Sequence, residues 1–65
     1  MELTERTIDG YPITNITTPR LERVRRELNI SLGLSVTGSP ASLMIRRCRN
    51  AVAAELDRRA WLVAR

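Results

Sequence analysis

The sequence has no histidine, no lysine and no phenylalanine, and only one cysteine, one tryptophan and one tyrosine in 65 residues. Each scarcity excludes something. Without histidine the chain lacks the side chain that moves protons near neutrality. Its carboxylates are scattered, so neither catalysis nor a metal site is expected, and no cofactor is implied. A single cysteine, Cys48, cannot form an intrachain disulfide and suits a reducing cytoplasm. Continuous apolar stretches such as Ala51 to Ala54 run to only a few residues, far short of the ~20 that span a membrane. Glu2 and Glu5 stand where a signal peptide would carry basic residues. Gly10, Gly33 and Gly38 are too scattered to form a phosphate-binding loop.

Few large aromatics also mean few core anchors. A chain this short forms one domain and buries a modest share of its surface. With no disulfide or metal to staple it, association with a second copy is the expected source of added stability, most simply a symmetric homodimer.

What is present is arginine. All eleven basic residues are arginines, against seven acidic residues, for a net charge of +4. A planar guanidinium grips phosphate through two hydrogen bonds, although a solvated helix face is the plainer use of such charge. An anionic partner, such as nucleic acid or an acidic protein surface, fits the balance.

Along the chain, residues 1–10 read as a flexible arm and 11–65 as one small domain. Asp9-Gly10 is a turn signal. "YPITNITT", Tyr11 to Thr18, is rich in β-branched residues and predicts a short strand, with Pro12 confining it to an edge. Thr18-Pro19 then opens a helix whose apolar stripe is Leu21, Val24, Leu28 and Leu32. Glu22 and Arg26 stand one turn apart, in the order that favours an ion pair. The helix ends at Asn29 or, preferably, Gly33. Leu34 to Thr37 fits either a second strand or a loop. Ser39-Pro40 repeats the cap, and a second helix runs to about Trp61 with Ala41, Met44, Ile45, Cys48, Val52 and Leu56 on its apolar face. Cys48 on that face reads as a buried structural thiol. Glu55 and Arg59 make another pair, and Trp61, Leu62 and Val63 form an apolar cluster suited to a partner subunit or a foreign protein. The fold class is thus mainly α with one short N-terminal β-strand, in the order strand, helix, helix.

"ITTPRLERVRREL" followed by "GSPASLMIRRCRNAV" resembles the ribbon-helix-helix family of DNA-binding regulators. Gly38, Ser42, Met44, Ile45 and Arg46 fall in the register of that family's second helix. The resemblance implies an intertwined homodimer whose strands pair into one antiparallel ribbon that enters double-stranded DNA. Ile13, Asn15 and Thr17 would then face the bases and Ile16 the core. Backbone N–H groups around Ala41 and Ser42, behind the Ser39 cap, would hold a phosphate, with Arg20, Arg23 and Arg46 as further contacts. Two functions follow: a cytoplasmic repressor or antitoxin-type regulator of transcription, or a small helical interaction module, of the inhibitor or adaptor kind that phages and mobile elements encode, acting through Trp61, Leu62 and Val63.

Overall fold

The computed structural model describes residues 2–64. A short antiparallel hairpin, β1 (Thr7–Ile8) and β2 (Tyr11–Pro12), leads through one 3-10 turn (Ile13–Asn15) into two helices, α1 (Thr18–Leu34) and α2 (Pro40–Ala64). The fold is mainly helical, with the β structure at the N-terminal end, as the sequence pattern predicts. None of these helices is long and apolar enough to cross a membrane.

The turn signal at Asp9-Gly10 is the centre of the hairpin. Both residues take positive φ, 51° and 82°, the backbone that a two-residue turn needs to match the twist of its strands. Leu3 bridges to Ile8, and the Asp9 N–H donates to the Glu2 carbonyl at 2.7 Å. Ile8 is fully buried. Leu3 and Ile8 thus tie the segment before the turn to the rest of the fold.

The strand expected over Tyr11 to Thr18 stops at Pro12. The reason lies in Ile13 and Ile16. An extended chain would send residues three apart to opposite faces. A 3-10 turn brings them to one side, and both are buried. Hydrophobic burial thus overrides the β propensity of the segment.

α1 forms on the predicted stripe, with Leu21, Val24 and Leu28 buried. Its cap is Thr17 rather than Thr18, and Thr18 and Pro19 are the first helical residues. Proline is tolerated there because the first-turn N–H groups lack helical partners anyway. Gly33 stays helical, and the chain leaves α1 at Ser35, whose hydroxyl donates to the Ser31 carbonyl at 2.8 Å. The left-handed glycine between the helices is Gly38, at φ 83°, in the turn before α2. Leu34 to Thr37 is helix end and turn, not strand. Ser39 caps α2 as predicted, its hydroxyl accepting from the Ser42 N–H at 3.1 Å.

The two helices run antiparallel, and the core is Ile8, Ile13, Ile16, Leu21, Val24, Leu28, Cys48, Val52 and Leu56. On α2, Ala41 and Met44 are exposed instead of buried, while the buried side holds the polar residues Ser42 and Glu55. Glu55 sits there because its carboxylate accepts hydrogen bonds from Arg58 and Arg59.

Candidate functional site

Glu55 lies on the buried side of α2, its side chain 7% exposed. Arg58 grips it through Nε at 2.9 Å and Nη2 at 2.6 Å, and Arg59 Nε donates to it at 2.7 Å. These hydrogen bonds, from Arg58 first and then Arg59, hold the carboxyl at about 2, far below the usual range, against the opposing effect of burial. Arg59 also reaches across the fold. Its Nη1 donates to the Thr18 hydroxyl at 3.0 Å, and Nη2 to the carbonyls of Ile13 at 3.3 Å and Thr14 at 3.2 Å. The cluster thus ties α2 to the 3-10 turn and the start of α1. Both oxygens of Glu55 and all three nitrogens of the Arg59 guanidinium have a protein partner. Its hydrogen bonds link α2 to the N-terminal segment.

Cys48 is buried in the core. Desolvation first, and the Glu5 charge second, push its thiol up, which makes it a poor nucleophile. Among the described residues no group of three histidine, cysteine or acidic side chains could hold a metal ion.

The residues expected at a DNA surface fall into two separated groups. Ile13 is in the core and unavailable. Asn15, Thr17 and Arg20 are exposed around a shallow pocket shared with Tyr11, at the start of α1, and Arg20 pairs with Asp9 at 3.1 Å. Ser39, Ala41, Ser42 and Arg46 lie at the opposite end of the helix pair, and Ser42 is buried. The seventeen residues of α1 set these ends about 25 Å apart at ~1.5 Å per residue. Arg23 projects from α1 between them. One chain therefore does not gather these residues into a single patch.

A different surface is assembled. α2 extends beyond the Arg59 cluster, and there Trp61, Leu62 and Val63 are 62%, 49% and 87% exposed. At about 100° per residue, Leu43, Met44, Arg47, Ala51, Ala54, Arg58, Trp61 and Leu62 share the side of α2 turned away from α1. An open groove of about 470 Å³ runs along this side. Ala51, Ala54 and Arg58 line it from α2, and Arg6, Pro12 and Ile13 line it from the hairpin and the adjoining 3-10 turn. A second pocket continues it past Met44, Leu3 and Thr4. Sequence reasoning found the terminal cluster but missed the groove. Its signal was a second stripe on α2, at alternating spacings of three and four, partly hidden because its middle positions are alanine and arginine.

Compared with known proteins, the chain matches no family model, no curated protein and no solved structure.

Proposed function

We propose that this protein is a non-catalytic interaction module whose binding surface is the outer side of α2. The observation that carries this reading is the exposure of Trp61 and Leu62 on that side, with Val63 exposed beside them, on a helix that outruns its own core. Exposed tryptophan and leucine grouped at one end of a rigid helix make a compact anchor for another protein. The groove beside Ala51 and Ala54 continues the same side and has arginines at its rim, which suits a partner helix with an apolar seam.

The test is comparative affinity capture from a lysate of the source organism. The bait is the whole chain or a variant with Trp61, Leu62 and Val63 replaced by serine. Circular dichroism should show equal helicity in both. A protein retained by the wild type and lost by the variant supports the reading. Equal retention by both sinks it.

A second reading, a DNA-binding regulator, is favoured by a separate observation. Among the described residues, Arg23, Arg25, Arg26, Arg46 and Arg49 have no carboxylate within 4 Å, although both helices carry carboxylates. Such cations are available to phosphate. Light scattering with a mixed-sequence duplex at low and moderate salt decides it. Mass gained at low salt and lost at moderate salt is the expected signature, and no gain at low salt ends this reading.

A further inference from the structure

The outer side of α2 is self-complementary. Large apolar residues, Leu43 and Met44, stand near one end, and another pair, Trp61 and Leu62, stands near the other, with Ala51 and Ala54 between them. Two copies of such a helix laid antiparallel, with the symmetry axis passing between Val52 and Ala53, bring each large pair onto the opposite pair. Met44 then meets Trp61 of the second copy, Leu43 meets Leu62, and Ala51 meets Ala54. Small residues at the centre let the helix axes approach closely, and large ones at the ends fill the wider space.

Charge is compatible with this register. Asp57 and Arg46 lie on one flank of α2, and the antiparallel pairing brings Asp57 of one copy to within two residues, about 3 Å along the axis, of the level of Arg46 of the other. Arg47 comes level with Arg58 of the second copy, but each brings its own carboxylate. Glu5 is 3.8 Å from Arg47, and Glu55 is 2.6 Å from Arg58. The pocket lined by Leu3, Thr4 and Met44 lies where the indole of Trp61 from the other copy would arrive. A core of nine buried apolar residues among the described ones is small for a free-standing domain, and such a pairing would enlarge it.

We propose that the occupant of this surface is a second copy of the chain, with α2 packed antiparallel on α2 in that register. The inference rests on the interaction-module reading and specifies its partner.

The test uses the whole chain. Sedimentation equilibrium from low to high micromolar concentration should show a dimer. The emission of Trp61, the sole tryptophan, should shift to the blue along the same concentration curve as it leaves water. Ala54→Glu places a carboxylate at the closest approach of the helices. Ala54 is exposed in the single chain, so folding tolerates the change, and helicity should be kept while dimerisation weakens by at least tenfold. Register is tested in a Cys48→Ala background with a short bis-maleimide. A mixture of Leu43→Cys and Leu62→Cys chains should give mixed cross-links in excess over either self-cross-link.

Three results would overturn the proposal: a monomer at every concentration, a dimer indifferent to Ala54→Glu, or self-cross-linking at position 43 equal to the mixed product. A monomer that still captures a protein through Trp61 would sink the homodimer and leave the interaction-module reading standing. A monomer whose capture is indifferent to the serine variant would sink both.

Discussion

The guanidinium of Arg59 donates to the hydroxyl of Thr18 at 3.0 Å, across 41 residues of sequence. The same side chain is held from behind by Glu55, one helical turn away. This arrangement makes Arg59 the strap that fastens the N-terminal segment to α2, and it needs the forked donor geometry that only arginine provides.

Replacing Arg59 should therefore cost more than a surface charge normally does. Arg59→Ala leaves Glu55 with fewer donors and frees the carbonyls of Ile13 and Thr14, for a loss of about 2–3 kcal/mol. Arg59→Lys should recover less than half of that, because one ammonium cannot reach all these acceptors. Urea denaturation followed by circular dichroism measures both. Full stability in the lysine variant would refute the fork argument.

Acid should weaken the fold in a defined window. The folded pKa of Glu55 is lowered to about 2 from an ordinary value of 4.5. A depressed carboxyl stabilises the fold fully above its unfolded pKa, and this contribution is lost as pH falls through the folded value. The thermal midpoint should drop between pH 4.5 and 2 more steeply in the wild type than in Glu55→Gln. Parallel pH profiles for the two would contradict the assignment.

The pattern of success in reading this sequence follows the range of the forces involved. Leu21, Val24 and Leu28 reveal α1, and Ser39 reveals the start of α2, because both signals are local. Asp9-Gly10 announces a turn, yet the strands beside it are only two residues each, too short for alternation to show. Ile13 and Ile16 were hidden for another reason. Their β-branched surroundings favour a strand, and only the core beneath them decides for a turn. Glu55 and Arg59 look like an exposed helix pair, because the acceptors that Arg59 finds are more than forty residues away. The terminal cluster Trp61 to Val63 was readable as a candidate surface. The groove was not, since one of its walls is the hairpin.

Cys48 should be chemically silent in the folded protein. At 2% exposure it is out of reach of an aromatic disulfide reagent at neutral pH, and it should react at once in denaturant. Rapid labelling of the native chain would show that the core opens around it.

Two glycines should respond in opposite directions to alanine. Gly38 has φ +83°, where a Cβ is strained whatever the space, so Gly38→Ala should destabilise by about 1 kcal/mol. Gly33 is helical with open space where a Cβ would go, so Gly33→Ala should stabilise by up to about 0.5 kcal/mol. A thermal melt of each variant reads the sign directly.

The strap at Arg59 also bears on the order of events in folding. α1 and α2 are joined by a five-residue connection, so their pairing closes a short loop. Docking the 3-10 turn and the start of α1 on Arg59 joins residues 41 to 46 apart and carries the greater closure entropy. Contacts made after the barrier act on the unfolding rate alone. Weakening the strap should then leave the folding arm of a chevron plot where it is and raise the unfolding arm. Arg59 would set the lifetime of the native state and have little say in how quickly it is reached.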